Sequence, residues 1–191
     1  MAPGQFEGKF LVSMPEMSSD IFSQSVVYMC LHNEEGALGF VVNKPAPMSL
    51  RELFTHAEVA SSDTIVTPAV SSDEPVQTGG PVDPNRGFVL HSPDYTTDAT
   101  VAVSPEIALS STVSVLRSIA INTGPENSAI MLGYSGWGAG QLEQEILDNA
   151  WLVADLQSDL VFDTDHETKY ARALSHLGLN AANFQTVSGR A

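Results

Sequence analysis

The sequence predicts a mixed α+β fold. Short apolar stretches of strand character occur both back to back, joined by tight turns, and between helical patterns. Three segments also repeat their apolar residues at helical spacing. A strict strand–helix alternation, the mark of a parallel array, is absent.

Phe10-Leu11-Val12 reads as a short strand that stops before Pro15. Ser25 to His32 is apolar on both faces, hence a central strand. Asn33-Glu34-Glu35-Gly36 is a turn, and Ala37 to Asn43 returns beside the previous strand. A regular hairpin would pair His32 with Ala37 and Val26 with Asn43, putting His32 and Asn43 far apart along one face. Ser49 caps a short helix, Leu50 to Phe54. Further strands are expected at Val76 to Thr78, Gly87 to His91, Thr100 to Val103 and Ala129 to Leu132. The first long helix places Leu109, Val113, Leu116 and Ala120 on one face, capped by Ser110 or Ser111. The second spans about Ala139 to Asn149. The third spans about Glu167 to Leu177, with Tyr170, Leu174 and Leu177 inward and Gly178 as its stop. Ala57 to Asp63, Ser71 to Glu74 and Asp94 to Asp98 are the least ordered candidates.

At 191 residues the chain suits one domain, 1–191, and 43% apolar residues are enough for a substantial core. The balance of 8 Lys+Arg against 23 Asp+Glu gives a net charge of −15. Such a field repels phosphate backbones and anionic membranes, so direct nucleic-acid binding is not expected. Cys30 is the one cysteine and sits in an apolar run, which removes a disulfide framework and points to an inert buried thiol. The N-terminus has no basic start followed by an apolar stretch, and no apolar run reaches the roughly 18 residues of a membrane helix. The expectation is a cytoplasmic protein without membrane contact.

The run Gly133-Tyr134-Ser135-Gly136-Trp137-Gly138-Ala139-Gly140 packs four glycines around a tryptophan and reads as a specified turn leading into the second long helix. On that helix, steps of about 100° put Ala139, Leu142, Ile146 and Leu147 on the apolar arc, with Glu143 among them and Glu145 at the border. A carboxylate there needs donors. It either ties down the glycine-rich turn, or receives the Trp151 indole, or serves as a general base or ligand anchor. Gly79-Gly80-Pro81 with Arg86 is either an anion nest or a tight turn; the spacing matches neither a P-loop nor a dinucleotide fingerprint. Ser135 is one residue off a nucleophile elbow, with Trp137 where the second glycine belongs. His32 and His91 end apparent strands and would form a metal site only by meeting near Glu143 or Glu145; no histidine pair has helical metal spacing, so no metal and no cofactor are expected.

Several of these motifs together resemble the YqgE/AlgH family. They are Ser25-Val26-Val27-Tyr28 with His32 and Gly36, Gly39 through Asn43-Lys44-Pro45, and Gly79-Gly80-Pro81 with Arg86-Gly87-Phe88-Val89-Leu90-His91. They continue with Gly133-Tyr134, Trp137 and the run Gly140 to Leu152, and the end of the chain, Gly189-Arg190-Ala191, also fits. Tyr170 stands where tryptophan is common, and Ser135 where alanine often stands, which argues against a serine nucleophile. The resemblance implies a bacterial cytosolic protein with a bifurcated, largely antiparallel β-sheet folded into a pseudo-barrel and flanked by helices. It also implies a possible regulatory role, since some members are described as transcriptional regulators of alginate production, and it brings no agreed catalytic residues. The leading expectation is a non-enzymatic binding protein for a small ligand or protein partner. Its candidate cleft comprises Gly79, Gly80, Arg86, His91, Trp137, Gln141 and Glu143. The alternatives are a hydrolase or transferase with Glu143 or His91 as base, and a regulator that binds nucleic acid.

Overall fold

The structure, a computed structural model, describes residues 4–15, 17, 21–57, 59, 73–111, 113–155 and 157–179. Most of the serine-rich stretches 57–63 and 71–74, and the last residues of the chain, lie outside these. The fold is mixed α+β, with a curled, largely antiparallel sheet forming a half-barrel and helices against it.

The strands are β1 Phe10–Ser13, β2 Val26–Asn33, β3 Gly36–Val41, β4 Pro45–Ser49, β5 Pro75–Thr78, β6 Val82–His91, β7 Thr100–Ala102, β8 Ala108–Ser110, β9 Ser128–Gly138 and β10 Trp151–Ala154. The helices are α1 Leu50–His56, α2 Val113–Ala120, α3 Gln141–Leu147 and α4 His166–His176, with a 3₁₀ turn at Ser158–Val161. The main sheet runs β10-β1-β2-β3-β9-β6-β8-β7, with β4 and β5 branching from β9.

β9 makes the branch. Along one edge it pairs with β6 from Ser128 to Tyr134. Along the other, Met131 and Leu132 pair in parallel with Gln77 and Thr78 of β5, and Ser135 to Gly138 pair with β3. The change of partner falls at Gly133, where φ is +69°. Gly79 and Gly80 of the β5 exit lie against the β9 backbone there: a Cβ on Gly80 would sit inside the Tyr134–Ser135 peptide. The glycine-rich run expected as a turn is therefore strand through Gly138, and Gly133 within it serves close backbone approach to Gly80 and Val82.

The hairpin of β2 and β3 keeps the expected pair His32–Ala37 but not Val26–Asn43. Met29 pairs with Gly39 and Leu31 with Leu38, so Cys30 is an extra residue, a β-bulge. The Val26 carbonyl then accepts from the Val42 N–H at 2.9 Å, and the Asn43 side chain accepts from the Val26 N–H at 2.8 Å. His32 and Asn43 stay at opposite ends of the hairpin, as expected. Below the bulge Tyr28 packs with Phe40 inside the curl, while Val27 and Met29 face α3. Beyond it, His32 falls on the α3 side, against the Phe6 ring.

Ser49 does cap α1, with a reciprocal capping box to Glu52. Leu109, expected on the first long helix, lies instead in β8, opposite Leu90 and Val101. Three apolar clusters fill the spaces: one inside the curl under α4, one under α1 and α2, and one between the sheet and α3.

α4 buries Tyr170 and Leu174 as expected, while Leu177 at its end is only partly buried; it also buries Ala173 and Lys169, the latter 0% exposed. The Lys169 ammonium donates to the Val42 carbonyl at 2.7 Å and to the Val161 carbonyl at 3.4 Å. Burial lowers its pKa from 10.5 to about 8. Below pH 8 both folded and unfolded chains carry the proton, and the folded one bears the full cost of the buried charge. Between 8 and 10.5 only the unfolded chain holds it, so stability rises with pH; above 10.5 the cost is gone. Burial raises Cys30 and raises Tyr28 to about 12, which acts in the opposite direction at high pH. Both groups persist in a Lys169→Met variant, so the difference between parent and variant isolates the lysine. That difference is expected to move in the parent's favour by about 3 kcal/mol across this window, read by urea unfolding at stepped pH. A constant difference would contradict a charged buried lysine.

Candidate functional site

The glycine-rich end of β9 and α3 form a polar network under the third apolar cluster. Gly140 is left-handed, with φ at +73°, and starts α3. One face of α3 presents Leu142, 1% exposed, to Trp137 and Trp151. Leu147, expected on the same arc, is exposed because the helix ends there.

Glu145, not Glu143, receives the tryptophans. Its Oε2 accepts from the Trp137 and Trp151 indole N–H groups, both at 2.8 Å. Its Oε1 accepts from the Gln141 side-chain amide at 2.9 Å, and the Gln141 oxygen in turn accepts from the Gly138 N–H at 3.0 Å. Glu143 turns the other way. Its side chain is 24% exposed, and its Oε1 lies 3.0 Å from His32 Nε2. Its own backbone N–H, and then the His32 ring, hold its carboxyl below the usual range against the opposing effect of burial. Glu143 therefore ties α3 to β2 rather than to the glycine-rich segment. His32 is 2% exposed, and its Nδ1 has no partner.

The Glu143 link has an expected mutational pattern. Glu143→Gln keeps an oxygen that accepts from His32 Nε2–H, whereas Glu143→Ala leaves the buried imidazole with neither nitrogen satisfied. Urea unfolding is expected to show Ala losing about 2 kcal/mol and Gln about 1 kcal/mol less than that. Equal stability of parent and both variants would mean the link holds nothing.

The remaining expected residues fall elsewhere. Gly79 and Gly80 sit at the branch of the sheet. Arg86 lies over the Phe88 ring, 5.0 Å from its centre, and Phe88 packs edge-on against Tyr134. His91 pairs with Ser128 at the start of β9, roughly 30 Å along the strand from Trp137. Its Nδ1 faces the Ser92 carbonyl at 2.8 Å and its Nε2 the Ser110 hydroxyl at 3.0 Å. The seven residues thus do not line one cleft. His32 and His91 do not meet, and the described residues contain no cluster of three or more metal-ligating side chains. Ser135 is 0% exposed, its hydroxyl donating to the Gly79 carbonyl at 3.1 Å, so it presents no nucleophile. A shallow hollow of about 370 Å³ borders Tyr134, Gly136 and Trp137, and Trp137 alone of the seven lines it.

The larger cavity, about 540 Å³, lies elsewhere: between β5, the start of β9 and the segment entering α4. Its apolar wall includes Val76, Ile119, Ile130 and Phe162, and its polar wall includes Gln77 and His166. Gln77 Oε1 and His166 Nδ1 are both buried without a partner. The sequence reading missed this site, because its walls come from α1, β5, α2, β9 and the segment entering α4, all far apart in the chain.

Comparison with known proteins bears on the whole chain. A family model described as AlgH-like matches residues 10–182. A UPF0301 protein of Rhizobium etli is 42% identical over 189 residues, 98% of this chain and 94% of that one. A UPF0301 protein of Brucella melitensis is 43% identical with the same coverage. The solution structure of the AlgH protein from Pseudomonas aeruginosa matches with a TM-score of 0.78 and 37% identity, over 100% of this chain and 97% of that one. A crystal structure of a Corynebacterium diphtheriae protein matches in fold alone, with a TM-score of 0.62 and 19% identity, over 83% of this chain and 78% of that one. With its forked sheet, its α3 network and these relatives, the chain belongs to the AlgH-like family.

Proposed function

We propose that this protein is a cytoplasmic ligand-binding protein, with a regulatory role exerted through that ligand or a protein partner rather than through DNA. The observation that carries this reading is the 540 Å³ cavity, two of whose lining residues hold buried polar atoms without partners. Preformed, mostly apolar hollows with a few polar groups are the usual form of small-molecule sites. Buried polar atoms are nearly always satisfied in native proteins, so two beside one cavity point to something that meets them. The net charge of −15 weighs against contact with DNA. The side chains first considered as bases have protein partners: Glu143 is held by His32, and His91 by Ser110 and the Ser92 carbonyl.

Native mass spectrometry of the protein purified gently from its own host is the test. A retained small molecule is expected, and it should be lost from Thr164→Trp, which fills the cavity rim from an exposed position. A bare chain mass, or a retained molecule indifferent to Thr164→Trp, would overturn the reading.

A further inference from the structure

The lining of the large cavity excludes some ligands by charge. Among the described residues it contains no lysine and no arginine; its charged members are Glu74 and Asp163. Asp163 is already engaged by Arg172, whose guanidinium holds its carboxyl below the usual range. Lys169 lies close behind the wall, but its ammonium is 0% exposed and committed to the Val42 and Val161 carbonyls. An anion entering this cavity would meet carboxylates and no free cation, inside a strongly acidic protein.

The neutral polar groups indicate what fits instead. Gln77 is 5% exposed and its Oε1 lacks a donor. His166 Nδ1 lacks a partner as well, and burial, with Lys169 nearby, lowers its pKa, so the ring is neutral at pH 7. Both residues line the cavity, and both atoms are shut off from water. The terminal torsion of a glutamine is broad and soft, so a small turn brings the Gln77 amide to face the hollow. The remaining wall, with Val76, Ile119, Ile130 and Phe162, suits a flat apolar body.

Resting on the ligand-binding reading above, we propose that the cavity takes an uncharged molecule with an apolar body and an amide-like N–H edge, and that Gln77 is the acceptor that recognises that edge. Phenylacetamide and phenylacetate share a body and differ in charge and donors, so they are the probes. Amide-resolved NMR titration is expected to show phenylacetamide shifting the signals of Gln77, Ala129 and Ile130. Phenylacetate should bind at least about tenfold more weakly. Gln77→Met keeps the length of the side chain but has no amide oxygen, and should weaken phenylacetamide by about tenfold. Thr164→Trp should abolish the shifts without touching Gln77, which serves if the methionine variant fails to fold. Equal binding of the anion, shifts confined to another surface, no binding of phenylacetamide at millimolar concentration, or unchanged affinity in a folded Gln77→Met would each overturn the proposal. An anionic molecule retained in the native mass measurement would remove this inference and leave the ligand-binding reading standing.

Discussion

Glu145→Ala is expected to destabilise the protein by on the order of 4 kcal/mol, because it leaves two buried indole N–H groups without an acceptor. Trp137 and Trp151 are 6% and 2% exposed, and both donate to one oxygen of this carboxylate. They come from different strands, β9 and β10, so the carboxylate also joins the edge strand β10 to the central strand β9 through α3. Removing it costs the desolvation of both donors, and charged acceptors are the stronger kind. Glu145→Gln retains an oxygen and should lose roughly 1–2 kcal/mol. Urea unfolding followed by tryptophan fluorescence reads both the loss and the environment of the two rings. If the alanine variant stays within about 1 kcal/mol of the parent, the indoles have another way to be satisfied and the network is not a joint.

Gly80→Ala is expected to be comparably severe for a different reason. Its φ is +156°, and a Cβ there would enter the Tyr134–Ser135 peptide of β9. Backbone cannot rotate away as a side chain can, so the branch itself must open. Gly140 offers the control: its φ is +73°, but a Cβ would meet nothing within 4 Å. Gly140→Ala should cost only the backbone strain, about 1 kcal/mol, whereas Gly80→Ala should cost about 3 kcal/mol more or prevent folding. Thermal and urea unfolding of the two variants decide the matter. Equal losses would mean that the strands do not press together at Gly80.

Much of the fold was legible where local chemistry decides it. The Ser49 cap and the β2–β3 turn follow from side chains within a few residues of one another. α4 was legible because its apolar positions recur at helical spacing. The glycine-rich run was misread because glycine serves turns and close strand crossings equally well. Only the approach of β5 to β9 shows which use applies. The choice between Glu143 and Glu145 was lost for a similar reason. Both lie on the inner half of α3, and the deciding partners, His32 and the two tryptophans, come from three separate strands. The bifurcated sheet came from the resemblance to a family and not from periodicity.

The extra residue at Cys30 gives β2 two incompatible parities. From Val26 to Cys30 the even-numbered side chains face the interior of the curl. From Leu31 onward the alternation restarts in the other phase, which delivers His32 to Glu143 and leaves Leu31 45% exposed. Pairing β2 with β3 without the bulge, Cys30 retained, would leave composition and hydropathy untouched, yet it would impose one phase along the whole strand. The imidazole and the helix that meets it would then stand on opposite sides of the sheet. Any comparison or redesign that treats β2 as a single alternating strand will assign the wrong neighbours to one of its halves.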